Sequence, residues 1–383
     1  MNTMSFSTMT ERRTRSMPKI NGIHIIGLDM GYSAPKCVYE QGNFIFPNYC
    51  KKITGEIFGE LSKTDIIYEN LDTGERYAVG EMAMNELGSD SVVSEDELFS
   101  RNHYLHPNFK ICFQTALGLA MWDYESDGSD IFIQTGLPPA YKDEDEPCLR
   151  ITMEQTHNFA ITNGNVRKEF HLTIKPDQVD VIFQPMGTFW SLCYNGDGKW
   201  SPIASELMKS DLMLFDGGFG TLDQFYVKGK ELKTKDTNPT LGMRRVLDET
   251  RNLIKKERGV SISIPAMQEC LKKGKFSVND RVTLSVKTYP IDDYLRRANE
   301  LVCKEAFETV RNYVFNIRYL VMTGGTGAAW CDYFQEHLKG VSTLRVLPGN
   351  KVFAGNESPL PIVYSNARGY YMYRYNALLR AKR

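Results

Sequence analysis

Asp216-Gly-Gly-Phe-Gly-Thr-Leu-Asp223 is the stretch on which the reading of this chain turns. Three glycines within four residues (Gly217, Gly218 and Gly220) deny a strand the side chains it packs with. They make sense where a main chain must wrap closely around an anion such as a phosphate, and Thr221 adds a hydroxyl donor. An apolar strand at 212–216 runs into this turn and a second strand at 222–227 leaves it, so Asp216 stands at a strand tip. A bulged hairpin is the bland alternative.

Working outward, the same unit occurs earlier. An apolar run at 23–29 ends on Asp29-Met-Gly-Tyr-Ser-Ala-Pro-Lys36, followed by strands at 36–39 and 43–46 around Gln41-Gly42. Gly31 admits a close main-chain approach to an anion, and Ser33 and Lys36 supply donors. A bare carboxylate beside that anion would be repelled. A divalent cation between them resolves the conflict, and Mg²⁺ usually retains waters. Either copy alone could be a plain hairpin; two copies, each led by an aspartate after an apolar strand, favour the phosphate reading. A third turn, Thr323-Gly-Gly-Thr-Gly327, joins a strand at 319–323 to a helix whose first N–H groups are unpaired. It offers Gly324, Gly325 and Thr326 to a nucleoside or an α-phosphate. No GKS or GKT follows, and the G-x-G-x-x-G fingerprint is incomplete, which excludes a Walker loop and a standard dinucleotide turn.

Between these turns the pattern predicts a hairpin at 65–68 and 76–79, a helix over 108–122 entered after Pro107, and a strand at 130–134 closed by Thr135-Gly-Leu-Pro-Pro139. An acidic loop at 142–146, a strand at 179–184, a helix at 187–194 and a joint at 194–202 follow. Helices are predicted over 243–258 and 292–316, and a Tyr-rich helix closes the chain. The first twenty residues read as a flexible tail, with Met17 a plausible alternative beginning.

A length of 383 residues allows two or three domains, and the repeated unit predicts two similar lobes around a cleft. Lys plus Arg number 46 against 47 for Asp plus Glu, a net charge of −1 that argues against direct nucleic-acid binding. The eight cysteines include no Cys-x-x-Cys pair, which suits a reduced, cytoplasmic chain. His103 and His106 lack a second pair to complete a zinc site. No apolar run approaches the roughly 20 residues of a membrane span, so a membrane partner is not expected.

The order of these turns resembles the actin/Hsp70/sugar-kinase ATPase superfamily over residues 22–375, and within it the bacterial actins, particularly ParM-type plasmid-segregation proteins. Tyr77-Ala-Val-Gly-Glu81, Thr135-Gly-Leu-Pro138, Asp216 through Asp223 and Ser365-Asn-Ala-Arg-Gly369 look like that family's stretches. The resemblance implies an α/β, actin-like fold of two similar lobes, each a mixed sheet flanked by helices, around a nucleotide cleft. It places domain I at 21–195 with 356–383, domain II at 196–355, and a flexible tail at 1–20. ATP or GTP would be the nucleotide, with Asp29 and Asp216 holding hydrated Mg²⁺ from opposite lobes. Gln184 falls where actins carry a water-orienting glutamine, whereas ParM-type proteins are expected to carry a glutamate nearby. Phe219 and Pro35 depart from the family pattern, and the helix bearing Arg244, Arg245, Asp248 and Arg251 lies where relatives line the adenine pocket. The implied function is an ATPase that self-associates into filaments and segregates plasmid DNA through a DNA-binding adaptor. Two rivals are a small-molecule phosphotransferase of the sugar-kinase branch, with Asp223 drafted as base, and a membrane-associated cell-shape or division actin anchored by residues 370–383.

Overall fold

Runs of apolar residues that end on aspartate, glycine or proline set the strands, and the strands group into sheets on two sides of a cleft. The computed structural model describes residues 2–57, 59–87, 101–280, 284–354 and 358–381. In chain order the first strands are β1 (Glu11–Thr14), β2 (His24–Met30), β3 (Pro35–Tyr39), β4 (Gly42–Ile45), β5 (Cys50–Lys52), β6 (Ile66–Asn70) and β7 (Arg76–Val79). They are followed by β8 (Ile131–Leu137), β9 (Thr156–Asn163), β10 (Val166–Thr173) and β11 (Val179–Phe183). One mixed sheet has the order β1-β4-β3-β2-β8-β11, and a smaller antiparallel sheet has the order β10-β9-β6-β7-β5. Together they form the first lobe.

The second lobe is built on β12 (Leu212–Gly217), β13 (Leu222–Lys228), β14 (Glu231–Asn238), the hairpin β15 (Lys275–Asp280) and β16 (Ser285–Pro290), β17 (Tyr319–Thr323) and β18 (Arg345–Pro348). Its main sheet runs β14-β13-β12-β17-β18. The two lobes repeat one local design. β2 pairs antiparallel with β3 so that Asp29 lies opposite Lys36, and β12 pairs antiparallel with β13 so that Asp216 lies opposite Asp223. Each of these central strands also has a parallel neighbour, β8 for β2 and β17 for β12. Fully buried strands of this kind read as continuous apolar runs.

The helices are α1 (Glu81–Leu87), α2 (Pro107–Ala120), α3 (Lys142–Met153), α4 (Gln184–Cys193), α5 (Ala204–Leu207), α6 (Met243–Arg258), α7 (Ile264–Lys273), α8 (Asp292–Arg311), α9 (Gly324–His337) and α10 (Ser365–Ala381). Proline at the second position of α4 and α7 leaves no internal hydrogen bond unmade. Two large cores result. One gathers Leu28, Phe113, Ile133 and Phe159, the other Phe215, Leu247, Trp330 and Phe334. The Tyr-rich α10 packs on β2 and α4, with Tyr370, Tyr371 and Met372 fully buried. Among the described residues no helix is long and apolar enough to cross a membrane.

Three expectations need correction. The segment 2–20 is not a free tail: Phe6 enters the second lobe's core, β1 pairs with β4, and Met17 is buried in the first lobe. The acidic stretch at 142–146 is the first turn of α3, where Asp143, Glu144 and Asp145 favour the positive end of the helix. Gln184 does not end a strand but begins α4, directly after β11.

Candidate functional site

Asp29, one residue before the end of β2, and Asp216, one residue before the end of β12, line the same cleft. Asp29 and Asp216 are both buried. The ammonium of Lys36, across the hairpin, sits 3.5 Å from Asp29 Oδ2. Gly31 makes room for it, since a Cβ there would lie 2.4 Å from Lys36 Nζ. Asp216 Oδ2 accepts from Asn366 Nδ2 at 2.7 Å and, over a longer 3.4 Å, from Gln184 Nε2. Both donors come from helices of the first lobe. Burial, and then the neighbouring charge of Asp29, raise the Asp216 carboxyl to about 6, with the amide of Asn366 and the ammonium of Lys36 opposing the rise.

The glycine turns interlock. Gly324 sits at φ +77, and a Cβ there would fall 2.2 Å from Gly217 O and 2.6 Å from Asp216 Oδ1. A Cβ on Gly217 would in turn be 2.5 Å from Gly327 N. Thr326 Oγ1 donates to Gly218 O at 2.6 Å, locking the turn after β17 onto the turn after β12. Gly220 lies under the Tyr32 ring, which a Cβ would meet at 2.9 Å. Gly217 and Gly220 thus serve turn-on-turn packing, a need that spacing alone does not distinguish from phosphate approach.

A cavity of about 610 Å³ opens between the lobes, and Asp29, Ser33, Lys36, Gln184, Asp216, Gly218, Gly324, Gly325 and Thr326 line it. Gly31 and Thr221 line a smaller neighbouring cavity that shares Ser33, Lys36, Gln184 and Gly218. The sequence-predicted residues are therefore brought together around one cleft, with Gly217 and Gly220 immediately behind it. Asp223 is buried, its carboxyl raised well above the usual range by burial and by Asp216, and its Oδ1 has no hydrogen-bond partner among the described residues. Phe219 and Met243 face the main cavity. On α6, Arg245 pairs with Glu249 and Arg251 with Asp248, which makes that face a set of local ion pairs.

Two groups carry more of the site than the sequence reading gave them. Asn366 was quoted only as part of a motif, yet its side chain holds Asp216 and also accepts from Thr188 N and Thr188 Oγ1. Thr188 Oγ1 lies 2.8 Å from Thr323 Oγ1, so the floor of the cleft is a hydrogen-bonded seam between α4, β17 and α10. The second group is the N-terminal segment, from which Ser5 to Thr10 face the cavity. Nothing in its composition announced that.

The donor set fits a magnesium nucleotide. Two hard oxygen groups from opposite lobes suit a cation that keeps most of its water. No group of three or more Asp, Glu, His or Cys among the described residues forms an all-protein metal cage. Gly218 N is bonded to Thr221 O at 2.8 Å, and the first turn of α9, where a helix leaves its N–H groups without intrahelical partners, brings Gly324 and Gly325 to the cavity wall.

Two lobes, each a sheet carrying an aspartate-bearing hairpin, set around one cleft, with a C-terminal helix packed back on the first lobe, constitute the actin-like fold. Residues 27–187 match the family model described as "Actin like proteins N terminal domain". The chain's fold is similar to a ParM from a 15-stranded filament of Clostridium botulinum, at 18% identity and a TM-score of 0.70, covering 92% of this chain and 98% of that one. It is similar to the actin-like protein Alp7A, at 14% identity and a TM-score of 0.60, covering 94% and 97%. An archaeal actin homologue in complex with ADP matches at 16% identity and a TM-score of 0.58, covering 93% and 99%. No curated protein sequence matches the chain.

Proposed function

We propose that this chain is a nucleoside triphosphatase that binds Mg-ATP, or GTP, between its lobes and polymerises in that state. The observation that carries the reading is the meeting of Asp29 and Asp216, from opposite lobes, in a cleft walled by three glycine-rich turns. In this reading Gly31, Ser33 and Lys36 on one side, and Gly217, Gly218, Gly220 and Thr221 on the other, hold the phosphates. Gly324, Gly325 and Thr326 hold the nucleoside side. Asp29 and Asp216 would hold Mg²⁺, mostly through water, and the cation would neutralise charge on the transferring phosphoryl group.

Gln184 orients the attacking water. A neutral amide can position water but is a poor base, so hydrolysis is slow and suits a polymer timed by its nucleotide. Its 3.4 Å approach to Asp216 is a weak hydrogen bond, which leaves the amide free to turn. The likeness in fold to a ParM that forms filaments supports self-association. Plasmid DNA segregation through a DNA-binding adaptor, in the cytoplasm, is the finer part of the proposal, and the net charge of −1 agrees with an indirect DNA link. Residues 21–195 with 356–383 are assigned to domain I, to which β1 at Glu11–Thr14 adds an edge strand, and 196–355 to domain II.

Ninety-degree light scattering with Mg-ATP tests the reading. A nucleotide-dependent rise that decays as phosphate is released supports it; steady phosphate transfer to a small-molecule hydroxyl with no rise in scattering would favour the phosphotransferase. Co-sedimentation with liposomes, lost on removal of residues 370–383, would favour the membrane-bound actin.

A further inference from the structure

The start of the chain does something the glycine turns do not. Ser7, Thr8 and Met9 face the same cavity as Asp216 and Gly325, and on either side of them the segment is fixed to a different lobe. On the second lobe, Phe6 is buried in the core, Thr3 Oγ1 donates to Leu271 O at 2.8 Å, and Thr8 N donates to Gln268 Oε1 at 2.9 Å. On the first lobe, Thr10 N donates to Glu81 Oε1, and from Glu11 onward the chain is β1, paired with β4. The crossing is completed between Thr8 and Thr10. A chain reaches at most about 3.6 Å per residue, so these two anchors cannot separate by more than about 7 Å. Glu81 also takes Lys272 of α7 at 2.7 Å, so one carboxylate ties the segment to α1 and α1 to the opposite lobe.

We propose that residues 2–14 are a cross-lobe strap that forms the outer wall of the nucleotide pocket and retains the bound nucleotide. The proposal rests on the nucleotide reading of the cleft. Of the strap residues on the cavity, Ser5 to Thr10 offer hydroxyl groups, main chain and the Met9 thioether, which suit an uncharged base or ribose, and the charged pair beyond them, Glu11 and Arg13, is joined to itself at 2.6 Å. Lys36 marks the phosphate end by its charge. Opening the lobes far enough to release a nucleotide breaks either the Thr8 or the Thr10 anchor, and then the Glu81–Lys272 pair. Nucleotide exchange in this chain is therefore limited by strap release.

The test measures release of radiolabelled ADP from the full chain with Mg²⁺, by filter retention after an unlabelled chase. Phe6→Ala removes the buried side chain from the second-lobe contacts, and Glu81→Ala removes the Thr10 contact and the ion pair with Lys272 without opening a core, leaving β1 on β4. Hydrogen exchange at the amides of residues 3–10 reports whether the strap has loosened. Release should be faster by about tenfold or more in Glu81→Ala, the equivalent of about 1.4 kcal/mol, with Phe6→Ala at least as fast if it folds. Unchanged release from a variant whose strap amides exchange faster overturns the strap while leaving the nucleotide site intact. Failure of the parent chain to bind ADP at all overturns the nucleotide reading, and the strap's role falls with it.

Discussion

Asp216 is held in a state that suits its proposed task and not the stability of the empty protein. Its carboxyl, ordinarily at 3.8, is raised to about 6. A carboxylate whose folded value lies above its unfolded one penalises the fold when ionised. That penalty is absent below pH 3.8, grows as pH rises through 6 and is full above it. Asp216→Asn should therefore stabilise the nucleotide-free protein at neutral pH, by on the order of 1–3 kcal/mol in urea melts, while abolishing Mg-ATP hydrolysis. Gln184→Ala should slow hydrolysis more than it weakens nucleotide binding. His157 shows the opposite sign. It is buried between Gln114, whose amide it accepts from, and Met153 O, to which it donates, and burial lowers it to about 4. Its contribution is present above the ordinary 6.5 and lost as pH falls towards 4, up to about 3 kcal/mol, because the unfolded chain takes the proton first. The difference in stability between pH 7 and pH 4 should shrink in His157→Gln. Asp29, Lys36 and Asp216 were legible because their neighbours in sequence announce them. Asn366 was not, since its partner Asp216 is 150 residues away.

At the scale of elements, strands and helices that carry their own local signal were readable. The bounds of α6 and β17 agree with the apolar pattern, and β2, β3 and β4 differ from expectation by a residue or so at their ends. What was missed lacked such a signal. Strands β9 and β10 form an eight-residue antiparallel pair whose apolar face, with Phe159, Ile161, Phe170 and Leu172, is interrupted by His157, Asn163 and Lys168. The stretch 142–146 reads as an acidic loop, yet Asp143, Glu144 and Asp145 stand where negative charge favours a helix start. The glycine of the closing Ser365-Asn-Ala-Arg-Gly369 stretch has a purely geometric cause: a Cβ on Gly369 would lie 1.6 Å from Gly187 O. Helices α4 and α10 thus meet backbone to backbone, and Arg368 fixes the crossing by donating to Ser191 O and Tyr194 O. Gly369→Ala should force these helices apart and destabilise the protein by about 3 kcal/mol or more, read as a shifted urea midpoint. A midpoint equal to the parent's would refute the close crossing.

For the whole molecule, length and the repeated aspartate turn anticipated two lobes around one cleft, and the sheets bear this out. The N-terminal segment shows the limit of that reading. Its Ser-, Thr- and Met-rich composition has no periodicity, yet tertiary contacts with both lobes order it, and no local pattern encodes contacts between residues 3 and 271. A polymer surface is of the same kind, written in long-range geometry and a second copy of the chain. If nucleotide held between Asp29 and Asp216 drives assembly, electron microscopy of the purified protein with Mg-ATP, with Mg-ADP and without nucleotide will show it. Filaments are expected with ATP that shorten or vanish as ATP is consumed, and none from Asp216→Ala under conditions where the parent assembles. Absence of filaments with Mg-ATP at every protein concentration tried, or equal filaments from the Asp216→Ala variant, would contradict it.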